Sequence, residues 1–282
     1  ERLSRDYVRE FNDINQMLMS GVDWEGWVDI HLKLSQWENE LDHHPDVGLR
    51  QSLEGQRESC NSEFSRFIES QYLAWIKGAK RPPLSVDVVD LYISPLLKAG
   101  KKVVFVVVDC VRLDQWLSLE SLLSEIFNLK KDFYYSILPS ATPYARNALF
   151  SGLFPSEIET EYPDLWAKSE EDEKSSNRFE RQFIDRQLTR LGIDMKTEAK
   201  YIKILDPEEG IRVEKKIDAY FNTSLLSIVV NFVDILAHSR SSSEILKEMV
   251  PNEAAYRSVV KSWFEHSALY NILKAFSRQQ DT

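Results

Sequence analysis

Apolar residues in the first part of the chain recur at helical spacing. One series is Tyr7, Phe11, Ile14 and Leu18, a second is Trp24, Trp27, Val28, Ile30, Leu34, Trp37 and Leu41, and a third is Phe64, Phe67, Ile68, Tyr72, Trp75 and Ile76. Positions three and four apart share one face of a helix, so each series predicts an amphipathic helix. The breaks fall at Ser20-Gly21-Val22-Asp23, where Asp23 stands ready to cap the next helix, and at His43-His44-Pro45-Asp46. Three helices in an antiparallel bundle satisfy this pattern, and residues 1–84 are expected to form a helical linker or dimerisation region. A chain that opens on a helix already under way predicts a further domain upstream.

The pattern changes after Arg81-Pro82-Pro83-Leu84-Ser85, where two prolines end the third helix. Val103-Val104-Phe105-Val106-Val107-Val108 is an unbroken, largely β-branched run, and Leu225 to Val233 is a second. Such runs read as strands buried on both faces of a parallel sheet. Helical segments are predicted around Leu113–Phe127, Phe179–Leu191 and Tyr256–Ser277. Alternating strands and helices predict an α/β layer fold over residues 85–282. The acidic run Ser169-Glu170-Glu171-Asp172-Glu173-Lys174-Ser175-Ser176 reads as a solvated loop or helix face, or else as part of a cap insertion at about 156–200.

Composition narrows the function classes. The 282 residues are 43% hydrophobic, enough for one large core or two smaller ones. A formal net charge of −10 speaks against a general nucleic-acid coat protein. It leaves room for a phosphate substrate, because a bound divalent cation inverts the local field. No apolar run is long enough to span a membrane. Cys60 and Cys110 are the only cysteines and build no disulfide framework, which makes a reducing cytoplasm the default. Cys110 reads as a small buried hydrophobe or as a metal ligand.

Three segments carry chemistry. Asp109 ends the first strand, where ligands gather in open α/β sheets, although aspartate there also serves as a helix cap. Next comes Ser140-Ala141-Thr142-Pro143-Tyr144-Ala145-Arg146-Asn147, which predicts a helix with Thr142 as its cap and Pro143 in its first turn. A helix N-terminus favours anions, a threonine hydroxyl there is a candidate nucleophile, and Arg146 and Asn147 are candidate donors to phosphate oxygens. Last, Asp234 and His238 are four residues apart, so a helix starting at the second strand's end puts both on one face, as a shared metal requires. The alternative is an ordinary helix start with a surface histidine. His31, His43, His44 and His266 read as surface or packing residues.

The order is more specific than any one segment: strand–Asp109, an Ala141-Thr142-Pro143 turn about thirty residues later, then strand–Asp234-x-x-x-His238. This arrangement resembles the alkaline-phosphatase superfamily, and its PglZ branch in particular. Four stretches extend the likeness to the response regulators that govern type IX secretion: Trp24 to Trp37, Arg81 to Ser85, Asp109 to Trp116, and Leu138 to Asn147. The resemblance implies a two-zinc phosphoesterase acting on phosphodiesters of nucleotide type. Asp109 would bind one metal, Asp234 and His238 the other, and Thr142 would lie between them as nucleophile. It also implies an upstream phospho-accepting receiver addressed by a sensor kinase, homodimerisation through the helical region, and further metal ligands beyond Thr282. The expectation is therefore a middle piece that holds part of each metal site and is inactive alone. A non-catalytic signalling module that binds a sensor kinase or a sigma factor is the competing expectation. Phosphoglycerate-mutase-like or sulfatase-like chemistry is a weaker one, since sulfatases take their nucleophile from cysteine or serine.

Overall fold

In chain order, α1 (Arg2–Ser20), α2 (Trp24–His43) and α3 (Val47–Ile76) are followed by a short α4 (Ser94–Lys98), strand β1 (Val103–Val108) and α5 (Leu113–Ser124). Helices α6 (Thr142–Ser151), α7 (Pro155–Glu161), α8 (Pro163–Glu170) and α9 (Glu180–Arg190) lead to β2 (Lys200–Ile204) and α10 (Pro207–Glu214). Strand β3 (Leu225–Val230) passes into α11 (Phe232–Arg240), α12 (Glu244–Met249), α13 (Glu253–Glu265) and α14 (Ala268–Ser277). This is a computed structural model that describes residues 2–44, 46–170, 177–240 and 242–279, with backbone alone for 167–170.

The chain divides into two compact units. The first gathers residues 1–82, 112–125 and 245–262, and the second 83–111, 126–244 and 263–282. The three predicted N-terminal helices are all present in the first. Asp23 caps α2 by accepting the Gly26 N–H at 2.8 Å, and Asp46 caps α3 by accepting that of Leu49 at 3.0 Å. Their inward faces bury Tyr7, Ile14, Trp27, Ile30, Leu34, Leu41, Leu53 and Cys60. Helix α5 and most of α13, far along the sequence, complete this unit. Arg257 of α13 is buried and donates to Asp42 of α2 at 2.6 Å and to Asp114 of α5 at 2.8 Å. Removal of either carboxylate would leave the guanidinium short of countercharge in a poorly hydrated place.

The second unit is built on a parallel three-stranded sheet in the order β1-β3-β2, flanked by helices. Val103 pairs with Leu225 and Val108 with Val230, while Lys200 pairs with Leu226 and Ile204 with Val230. All six residues of the central β3 are buried. Those of β1 are only half-buried. The two runs look alike in sequence, but among the described residues β1 has a strand neighbour on one side only. One face of the sheet carries the core: Leu225 and Val229 meet Val103, Phe105, Val107 and Tyr201, and beneath them pack Phe150, Phe183, Ile184 and Leu188.

Several boundaries differ from the sequence reading. Strand β2 was not expected; its five residues mix two lysines with three apolar positions, which weakens the alternation signal. The second predicted strand stops at Val230, and Phe232 already belongs to α11. The long helix expected from Tyr256 to Ser277 is two helices, because Ser267 turns the chain and caps α14 by accepting the Tyr270 N–H at 3.1 Å. Residues 171–176 of the acidic run lie outside the described residues. No helix is long and apolar enough to cross a membrane among those described.

Candidate active site

Side chains alternate along a strand, so the face that carries Val107, Val229 and Tyr201 continues two residues further to Asp109, Asn231 and Lys203. All three stand at the carboxyl end of the sheet, one per strand. Asp109 is anchored there by its own N–H, which donates to the Val230 carbonyl at 2.9 Å. Cys110 then takes a left-handed conformation, φ 62°, which ends the strand sharply.

Helix α6 lies next to this edge. Its cap is Ala141 rather than Thr142: the Ala141 carbonyl accepts from the N–H groups of Tyr144 and Ala145, both at 2.9 Å, and Thr142 is the first helical residue. Proline lacks an N–H and is tolerated in any position of a first turn whose N–H groups are unpaired, so Pro143 did not fix the frame. Thr142 and Asp109 line one cleft of about 230 Å³, together with Ser85, Cys110, Tyr134, Ser140 and Arg146. The Thr142 carbonyl accepts from Asn177 Nδ2 at 3.3 Å, and among the described residues its hydroxyl has no hydrogen-bond partner.

Arg146 is committed within the protein. It is buried, and its Nη1 donates to Asp109 Oδ2 at 2.7 Å and to Asn231 Oδ1 at 3.3 Å. On its other edge Nε donates to Glu180 Oε1 and Nη2 to Oε2 at 3.2 Å. Glu180 itself is fully buried and also accepts from the Tyr201 hydroxyl. The expected role of Arg146, a donor waiting for phosphate, conflicts with this geometry, because two carboxylates already take its strongest directions. Asn147 is likewise buried. Its Oδ1 accepts from Asn177 Nδ2 at 3.1 Å, and it is absent from the residues that line the cleft.

Asp234 and His238 share a face of α11, one turn apart as the spacing requires. Their approach is 3.4 Å between His238 Nε2 and Asp234 Oδ1, with the imidazole largely exposed. Cys110 Sγ donates to the same Asp234 oxygen at 3.1 Å. Cys110 is exposed rather than the small buried hydrophobe expected, yet partial desolvation of its thiol pushes it up to about 12, helped by that hydrogen bond and by the charges of Asp109 and Asp234. Burial also raises the Asp109 carboxyl above the usual range and Asp234 raises it further, while Arg146 pulls it down. Asp109 and Asp234 are thus close enough to repel one another.

Carboxylates and an imidazole are donors that a divalent cation accepts. They form an incomplete set: no group of three such ligands stands ready to hold an ion among the described residues. Sequence reasoning missed Glu180, Asn231 and Lys203. Glu180 follows the acidic run and looked like another surface charge, and Lys203 sits on the strand that was not foreseen. Burial lowers the Lys203 ammonium below its ordinary value; Glu180 and Asp109 oppose this, and Arg146 adds to it. No hydrogen bond or ion pair holds that ammonium among the described residues.

Comparison with known families assigns both parts of the chain. Residues 88–277 match a family described as the BREX system PglZ alkaline phosphatase-like domain. Residues 1–76 match the PorX response regulator linker domain. No curated protein matches the chain.

Proposed function

Because this chain belongs to the PglZ family of alkaline-phosphatase-like domains, carried behind a PorX-type response-regulator linker, we propose that it hydrolyses phosphodiesters of nucleotide type with Thr142 as nucleophile. The observation that carries this reading is the shared cleft: Thr142 and Asp109 line the same space at the sheet's carboxyl edge, and the charge of Asp234 is felt at Asp109. Distant parts of the sequence converge there.

Thr142 Oγ1 would attack phosphorus, forming a new P–O bond as the bond to the leaving alcohol breaks. The proton lost by the threonine ends on the departing alcohol, and water then cleaves the threonine phosphate and restores the hydroxyl. Asp109 would hold one cation, and Asp234 with His238 another. Zinc is the favoured ion because a histidine takes part. Bound there, the cations would neutralise phosphate charge and ease deprotonation of the threonine. With Arg146 committed to Glu180 and Asp109, Lys203, whose ammonium feels the charges of Glu180 and Asp109, is the candidate to meet a phosphate oxygen. In the cytoplasm, the helical unit would relay phosphorylation of an upstream receiver by a sensor kinase, through a change in homodimer association.

The test is hydrolysis of bis-p-nitrophenyl phosphate by the intact protein, with and without a chelator, beside Thr142→Ala. Loss of at least about a thousandfold in kcat for the variant supports the nucleophile. Equal rates remove Thr142 from the mechanism and favour a binding module for a kinase or sigma factor.

A further inference from the structure

A second cavity, of about 280 Å³, lies at the carboxyl end of the sheet within the same unit. Ile204 closes β2, Val230 closes β3, and both line it. Each adjoins a residue of the cleft edge, Lys203 and Asn231, and neighbours along a strand point to opposite faces. The cavity therefore sits across the sheet's edge from the cleft, with β2 two strand spacings, or about 10 Å, from β1 and its Asp109. One wall is aromatic. Phe232 and Trp263 are stacked with centroids 4.4 Å apart and planes 7° from parallel, and both are half-buried. Leu205 and Ile211 also line the cavity, although each is exposed. Apolar surface left open beside an aromatic wall suits a flat ligand with apolar faces. Asp206 adds a polar group to this lining. Its Oδ1 caps α10 by accepting the Glu209 N–H at 2.8 Å, and its Oδ2 has no hydrogen bond or ion pair among the described residues.

We propose that this cavity receives a nucleobase with an exocyclic amino group, stacked on the Phe232–Trp263 pair and donating to Asp206, an inference that rests on the nucleotide-type reading above and adds where the base of that substrate sits. Every base offers flat faces that an aromatic side chain can cover, so the wall alone holds them all. Adenine, cytosine and guanine carry amino donors as well. A carboxylate oxygen accepts from an amino group and repels a carbonyl in the same place, so Asp206 selects among bases. The same carboxylate keeps phosphate out of the cavity and leaves it to the Lys203 side of the edge. A nucleoside phosphate is long enough to reach from one side to the other.

Adenosine and purine riboside, which lacks only the amino group, are the probes. Titration calorimetry of the intact protein should show adenosine binding roughly 10–150-fold more tightly, the range for a hydrogen bond to a charged group. Asp206→Asn keeps the cap, since asparagine serves there as well as aspartate, but sets an amide N–H group where Oδ2 stood. It should bring the two nucleosides to equal affinity. Adenosine should also quench indole fluorescence in wild type, and Trp263→Phe, which keeps a stacking ring, should abolish the quenching. Wild type that binds no adenosine overturns the proposal. So does equal affinity for the two nucleosides, a preference that survives Asp206→Asn, or quenching that survives Trp263→Phe. Nucleoside binding by a protein that hydrolyses no phosphodiester sinks the hydrolytic reading and leaves the ligand of this cavity in place. Hydrolysis of bis-p-nitrophenyl phosphate without nucleoside binding sinks this inference alone.

Discussion

Nη1 of Arg146, on the first turns of α6, donates to Oδ2 of Asp109 at the end of β1 across 2.7 Å. Thirty-seven residues of sequence separate the two. The contact ties the helix that presents Thr142 to the strand that presents the leading carboxylate. One guanidinium therefore links the helix of the proposed nucleophile to the candidate ligand.

Arg146→Leu should destabilise the fold by about 3–5 kcal/mol, because it leaves the buried Glu180 carboxylate with only the Tyr201 hydroxyl and no countercharge, and strips the half-buried Asp109 of its ion pair. Arg146→Lys restores a charge but not the two-edged fork, so it should recover only part of that loss. Urea unfolding of the three proteins checks the order. A leucine variant as stable as wild type would show that the buried charges are hydrated by other means.

The helical bundle and the two apolar strands were legible because burial of one face imposes a period on the sequence. Trp27, Ile30 and Leu34 can be read as one face without a structure. Asp109, Thr142 and Asp234 were singled out because each sits where a strand or a turn hands over to a helix, and His238 because it follows Asp234 by one helical turn. The partners of Arg146 were not legible. Glu180 lies 34 residues away behind an acidic stretch and has the same letter as its solvated neighbours. Only its complete burial distinguishes it, and burial of a single charge leaves no periodic trace. Lys203 was hidden for another reason: two lysines in five residues mask a strand whose partner, β3, supplies most of the apolar burial.

Lys203→Met should lower kcat/KM toward phosphodiesters by roughly 10–150-fold, the worth of one hydrogen bond between charged groups. Most of the effect should fall on KM, since an ammonium at the strand's end binds phosphate before and during reaction alike. Steady-state kinetics on bis-p-nitrophenyl phosphate decide the matter. A variant with unchanged KM would place the phosphate elsewhere.

Two glycines predict opposite responses to alanine. Gly152 ends α6 with φ +66°, and a Cβ there would lie 2.5 Å from Gln187 Nε2, a group that donates to the Leu149 carbonyl. Gly152→Ala should cost about 2 kcal/mol from left-handed strain and the displaced hydrogen bond. Gly55 lies inside α3, where a Cβ meets nothing within 4 Å. Gly55→Ala should stabilise by about 0.5–1 kcal/mol, because alanine loses less backbone freedom. Chemical denaturation of each variant gives both signs.

Asp114 sets an acid limit on the helical unit. Burial alone would raise its carboxyl, but hydrogen bonds and charge from Arg112 and Arg257 outweigh that and hold it at about 2. A carboxyl lowered on folding adds stability that is fully present above its unfolded value, near 3.8, and vanishes as pH falls through the folded value. The drop of about two pH units corresponds to about 2.5 kcal/mol at neutral pH. Asp114→Asn removes the charge that both arginines face, so its melting temperature should lie well below wild type at pH 7. That gap should close as pH falls from about 4 to about 2, where wild type loses the same interaction by protonation. Thermal melts of both proteins across this range give the comparison. A gap that stays constant with pH would mean that Asp114 stabilises the unit through packing and neutral hydrogen bonds, with its charge already balanced in the unfolded chain.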